Sequence, residues 1–170
     1  MPNTFELIAS STVGSGGAAS IEFTSIPATY TDLCLKLSGR TSSTGSIYEW
    51  VYIKFNSSTT GYSYRLLQGN GGNGFGSYSG TSQYSGDIPD GTATASTFGN
   101  YEIYIPNYAG STNKSFSVDA VTENNGTLAI EDLVAGLWSN TAAITAVNFT
   151  PRNGSFVQYS TAYLYGVKNA

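Results

Sequence analysis

Apolar and polar residues alternate with a period of two along most of this chain, and the 3.6-residue spacing of a long helix does not recur. The clearest stretch, Tyr48–Phe55, sets Val51, Ile53 and Phe55 on one side and Tyr48, Trp50 and Tyr52 on the other. Both sides are large and apolar, as in a central strand covered on each face. The outer aromatic set could equally form an exposed contact stripe. Similar alternation, with β-branched and aromatic enrichment, predicts strands at 5–10, 19–23, 32–38, 62–67, 101–105, 116–122, 133–138, 143–149, 155–158 and 162–167. Asn125-Gly126 and Asn153-Gly154 fit the central positions of type I′ hairpin turns, and Asp90-Gly91 does so after Pro89. Short strands, turn punctuation and no helices predict an all-β, single-domain antiparallel β-sandwich over 1–170, jelly-roll-like, with no internal repeat or linker.

One stretch breaks the alternation. Residues 68–99 contain Gly69-Asn70-Gly71-Gly72-Asn73-Gly74-Phe75-Gly76 followed by Ser77-Tyr78-Ser79-Gly80, with Tyr84 beyond. The expectation is a long Gly-rich insertion loop, which is usually either functional or without fixed structure. It is read as an arm that orders on a partner through Phe75, Tyr78 and Tyr84, or as a plain surface loop.

Composition narrows the function. The chain of 170 residues has no histidine and one cysteine, which removes the usual general base, the Ser and Cys triads and the common zinc sites. Charged residues are 11%, against roughly 25% in average globular usage. Ser, Thr, Asn, Gly and 13 Tyr therefore supply the polar surface, which suits permanent contacts. The seven basic residues are scattered singly and the net charge is −4, so nucleic acid is not expected as a partner. Residues 1–6 show no basic region leading into an apolar one, and no apolar run approaches the roughly 20 residues of a membrane span. A soluble protein made in a cytoplasm, without a membrane partner, is the expectation.

Candidate chemistry is sparse. Gly69-x-Gly71-x-x-Gly74 matches a dinucleotide fingerprint, but Phe75-Gly76-Ser77 will not open the helix that such a site needs. Several of the eleven acids sit at alternate strand positions or in turns, the ordinary places for solvated acids, so no pair acting across a sugar is expected. Asp87, Asp90 and Glu131-Asp132 offer oxygens for Ca²⁺ but too few for its coordination shell. Asn-x-Ser/Thr triplets at Asn56, Asn113, Asn125, Asn148 and Asn153 are what chance gives in so Asn-rich a chain. Cys34 falls opposite Leu33, Leu35 and Leu37 and reads as a small packed residue. No catalytic, cofactor or metal residue is expected. Tyr163 and Tyr165 share a face with Val167, opposite Ala162, Leu164 and Gly166, as a subunit or ligand interface or as the half-polar rim of a sheet.

Several segments together resemble a family of small all-β virion proteins of tailed bacteriophages, many of them from phages of cyanobacteria and other aquatic bacteria. They are residues 19–33 (ASIEFTSIPATYTDL), Ile53-Lys54-Phe55-Asn56 with Tyr62-Ser63, Ile105-Pro106-Asn107-Tyr108, Gly136-Leu137-Trp138-Ser139 and Tyr163-Leu164-Tyr165-Gly166-Val167-Lys168. The likeness spans Phe5 to Lys168 and rests on fold-marking segments, so it implies no catalytic residues. It implies a non-enzymatic virion structural protein, first of all a capsid decoration or cement protein that clamps neighbouring capsid subunits. The expected partners are the major capsid protein or other virion proteins and copies of itself, a trimer favoured. Its contact residues would be Phe75, Tyr78, Tyr84, Tyr48, Trp50, Tyr52, Tyr163 and Tyr165. The alternative is a tail-fibre or baseplate module that binds host-surface glycan through Trp50, Tyr52 and Trp138.

Overall fold

The computed structural model describes residues 4–70 and 75–168. Among them there is no helix. Twelve strands form the fold: β1 (Phe5–Thr12), β2 (Ile21–Phe23), β3 (Asp32–Gly39), β4 (Tyr48–Phe55), β5 (Tyr62–Gly69), β6 (Phe75–Gly80), β7 (Tyr84–Pro89), β8 (Gly99–Ile105), β9 (Lys114–Glu123), β10 (Ala129–Trp138), β11 (Val147–Pro151) and β12 (Thr161–Val167). They build two antiparallel sheets, a β-sandwich of unequal halves. The larger runs β1-β12-β3-β8-β9-β10-β5-β6 and the smaller β2-β11-β4-β7.

The alternation read from sequence is the burial pattern observed. Along β9 and β10 every second residue is buried, from Lys114 to Thr122 and from Ile130 to Trp138. In β4, Val51, Ile53 and Phe55 are fully buried while Tyr48, Trp50 and Tyr52 are half-buried. In β12, Ala162, Leu164 and Gly166 point inward, and Tyr163 is exposed. Cys34 is buried, and burial pushes its thiol pKa up, as befits a packed residue. No described helix is long and apolar enough to cross a membrane.

Between the sheets Phe55, Tyr62, Phe116 and Trp138 interlock. Phe116 meets Phe55 edge-on at 5.5 Å, and Trp138 stacks on Tyr62 at 6.2 Å. The Phe55 N–H donates to the Tyr62 hydroxyl (2.7 Å), and burial pushes Tyr62 up to about 12. Gly136 makes this packing possible, because the Phe116 ring lies flat over it. A Cβ built at Gly136 would fall 2.0 Å from that ring.

Four expectations are corrected. The described part of residues 68–99 is not one insertion loop: it carries β6 and β7, which pair with β5 and β4. All six residues of β7 are buried, since it packs on β8, β9 and β10 as well as pairing with β4, so it shows no alternation. Residues 143–146 are not strand but wrap around Asn56. The Asn56 side-chain N–H donates to the Ala143 carbonyl (2.8 Å), and its oxygen accepts from the N–H groups of Thr145 (2.8 Å) and Ala146 (3.0 Å). Residues 155–158 form no strand; Phe156, fully buried, makes isolated bridges to Ala18 and Thr41. None of the three turns has type I′ geometry. Asn125 alone of its pair has positive φ, within a five-residue β9–β10 loop, and Gly154 alone of its own. Asp90-Gly91 has none, because the Asp90 carboxylate caps a local turn at Thr92.

Adding one methyl group at Gly136 should strain the interlocked rings. Gly136→Ala is expected to lower the unfolding free energy by about 2 kcal/mol, a typical overpacking cost, in urea denaturation. Gly14→Ala, with no atom within 4 Å of its Cβ, should be near neutral.

Candidate functional site

Two surfaces gather the residues that sequence singled out. The first is the outer face of the eight-stranded sheet, which no other element among the described residues covers. One register row crosses it as Ser10, Tyr163, Lys36, Glu102, Asp119, Leu133, Leu67 and Ser77. The next row includes Leu7, Tyr165, Cys34, Tyr104, Ser117, Ala135 and Arg65. At one edge Phe5 and Leu7 are more than half exposed, beside the stacked Tyr163 and Tyr165 rings. At the other, Leu67 and Leu133 are cross-strand partners, 60% and 45% exposed, along a groove of about 550 Å³. Between the two apolar ends lies an exposed ion pair, Lys36 to Glu102 at 2.6 Å. Next to it the Tyr104 hydroxyl donates to Asp32 (2.6 Å), which pushes Tyr104 up to about 12.

The second surface is a cleft of about 300 Å³ between β4–β7 and β5–β6. Its walls are Tyr48, Trp50, Tyr64, Leu66, Gln68, Tyr78, Ser79 and Tyr84. The glycines of this region allow its rings to lie flat. A Cβ at Gly76 would meet the Tyr78 ring at 2.1 Å, and one at Gly80 the Tyr64 ring at 2.6 Å. Tyr84 holds the wall together, edge-on to Trp50 at 5.3 Å and 5.2 Å from Tyr64. At the rim the Arg152 guanidinium lies over the Trp50 ring, 4.7 Å from its centroid.

Beneath the cleft two acids are buried together. Gln68 Nε2 donates to Asp132 (2.8 Å) and to Asp87 (3.2 Å). The other Asp132 oxygen accepts from the Tyr84 hydroxyl (2.9 Å) and from the Asp87 backbone N–H (3.0 Å). Both residues are 1% exposed, and Asp87 Oδ1 has no hydrogen-bond partner. Burial, and then the Asp132 charge, push Asp87 up to about 8; burial also raises Asp132. The pair therefore holds a proton at neutral pH. Because one amide bridges the two carboxyls, no sugar fits between them, unlike the acid pair of a glycosidase.

The predicted contact residues divide. Tyr163 and Tyr165 lie on the outer face; Tyr48, Trp50 and Tyr78 line the cleft, with Tyr52 half-buried on the same side of β4. Tyr84 is corrected: it is 1% exposed and holds up the cleft wall, so it is not a free contact residue. Trp138 is likewise corrected, being 1% exposed inside the core. The Phe75 side chain, Gly71 and Gly74 lie outside the described residues, and Phe75 opens a strand, so the fingerprint lacks its helix. The Ca²⁺ candidates do not assemble. Asp90 turns away to accept from Ser46 N–H (3.0 Å) and Thr92 N–H (2.8 Å), and no group of three metal-binding side chains occurs among the described residues. Sequence reasoning missed Gln68, Tyr64 and the Asp87–Asp132 pairing. Their one legible trace is the placement of polar Gln68 and Asp132 at inward strand positions. No protein-family model matches this chain, and no curated protein matches it.

The acid pair sets a pH dependence. Folded Asp87 keeps its proton up to about 8, whereas unfolded Asp releases it near pH 4. Between these values the folded state binds more protons, so stability should fall as pH rises and level off above about 8. Asp87→Asn should flatten that decline in thermal melts and make the variant the more stable form at pH 8.

Proposed function

We propose that this chain works by contact rather than by chemistry, as a structural protein of a tailed-bacteriophage particle. In this reading it decorates the head and clamps neighbouring subunits of the major capsid protein, in company with copies of itself, as a trimer. The observation that carries the reading is the uncovered outer face of the larger sheet. Contiguous exposed apolar surface marks interaction sites, and here Phe5, Leu7 and Tyr163 gather at one edge and Leu67 and Leu133 near the other. Interfaces favour aromatic residues, and the stacked Tyr163 and Tyr165 supply them at one end of this face, with the Lys36–Glu102 pair between the apolar ends. The sequence resemblance supports the same reading. Binding to the assembled shell but not to free subunits would stabilise the shell by mass action.

The test adds purified protein to particles that lack it. Leu7→Asp and Tyr163→Asp should each weaken particle binding by roughly tenfold or more, as substitutions at a contact centre do. Both side chains are exposed, so the fold should persist, which circular dichroism checks. In native particles Lys36 should cross-link to the major capsid protein. Cross-links confined to tail or baseplate proteins would overturn the head assignment.

A further inference from the structure

The cleft between β4–β7 and β5–β6 is separate from the outer face, and neither Leu7 nor Tyr163 lines it. We propose that it is a saccharide-binding site for a pyranose-containing glycan. Its volume of about 300 Å³ lies at the small end of ligand pockets, enough for roughly one or two sugar rings. Tyr48, Trp50, Tyr64 and Tyr78 present aromatic surface, on which the C–H faces of a pyranose pack. The polar groups have a defined sense. Gln68 Nε2 is committed to both buried carboxyls, so its carbonyl oxygen is the end of the amide left to accept from a sugar hydroxyl. Tyrosine hydroxyls add groups that donate as well as accept, and Arg152 adds donors at the rim.

A cationic ligand is the chemical rival, because aromatic walls near carboxylates also attract ammonium groups. Two features disfavour it. The carboxyls are 1% exposed, behind Gln68 and Tyr84, and are out of a ligand's reach. The cation position over Trp50 already holds Arg152, whose charge would repel a second one. The acid pair therefore serves as a clamp that fixes Gln68 and Tyr84 for a neutral or acidic sugar.

The experiment is a fluorescence titration of the full chain with lactose, chitotriose and a Gram-negative O-antigen polysaccharide. Trp50 lines the cleft and Trp138 is sealed in the core, so a change in emission reads the cleft. At least one saccharide should shift the emission below concentrations on the order of 10 mM, the range of a weak single-ring contact. Tyr78→Ala should weaken that binding roughly tenfold, while Tyr78→Phe, which keeps the ring, stays within about threefold. Tyr159→Ala, a change at an exposed residue outside the cleft, should leave binding unchanged. Silence with every saccharide overturns the proposal. So does a response to tetramethylammonium in place of sugars, or full binding by Tyr78→Ala. None of these results bears on particle binding through the outer face, so the two readings fail separately.

Discussion

The sandwich is held in register by β7, the edge strand of the smaller sheet, which is pressed against β8, β9 and β10 of the larger with every residue buried. That contact brings Asp87 against Asp132, so that the two carboxyls share Gln68 and the Asp87 backbone N–H donates to Asp132. Removing charges from water is expensive, and the tolerable solution is to keep a proton on the pair and satisfy most of its oxygens. An interaction of this kind tolerates few alternatives. A slip of β7 by one residue would carry Asp87 to the opposite face and leave Asp132 and Gln68 without it. The acid pair thus contributes less to net stability than to fixing where the two sheets meet.

Unequal sheets explain both surfaces. Four strands cannot cover the inner face of eight, so the β5–β6 end of the larger sheet projects beyond the small one. There the inward side chains Tyr64, Gln68 and Tyr78 face an opening rather than a core. The outer face of the large sheet has no element packed on it among the described residues. It nevertheless carries Phe5, Leu7, Leu67, Leu133 and Tyr163, residues that a purely solvated face would replace with charges. The same shortfall of covering elements therefore yields an open aromatic cleft on one side and an uncovered apolar sheet on the other.

Period-two alternation made β3, β4, β8, β9, β10 and β12 legible in the sequence, because each of these strands has one buried face and one facing outward or half-covered. It failed where that condition fails. In β7 the run Tyr84-Ser85-Gly86-Asp87-Ile88-Pro89 mixes polar and apolar residues without order, since both faces are packed and polar groups find partners inside; Ser85, for example, donates to the Val51 carbonyl. In β6 the glycines look like a flexible linker. Their role depends on Tyr64, a neighbour in space far back in the chain, and on Tyr78 two residues on. The cleft was half visible: Tyr48, Trp50 and Tyr78 stood out as aromatic, but nothing local links them to Gln68 or to acids 45 residues apart in β7 and β10. Residues 143–146 have strand composition, yet a single Asn56 side chain makes three hydrogen bonds to their backbone and bends them away.

Several of the few charges are used inward. Arg40 is buried and gives its guanidinium N–H groups to the carbonyls of Ala93 (2.8 Å), Thr94 (2.7 Å) and Thr97 (3.3 Å) and to the Thr97 hydroxyl (3.0 Å). Lys114 is buried as well and donates to the carbonyls of Gly110 (2.6 Å) and Thr112 (2.5 Å). Asp90 and Asp32 cap backbone N–H groups in the same way. A loop with no helix or strand to satisfy its backbone needs such partners, and one cation can serve several carbonyls at once. Each charge spent on a loop is absent from the surface. On the outer face the exposed charges (the Lys36–Glu102 pair, Asp119 and Arg65) lie between apolar groups at the two ends, so a partner can cover the ends at little desolvation cost. Low charge in this chain is therefore one property with two effects: it organises the loops from within, and it leaves the large sheet ready to be covered.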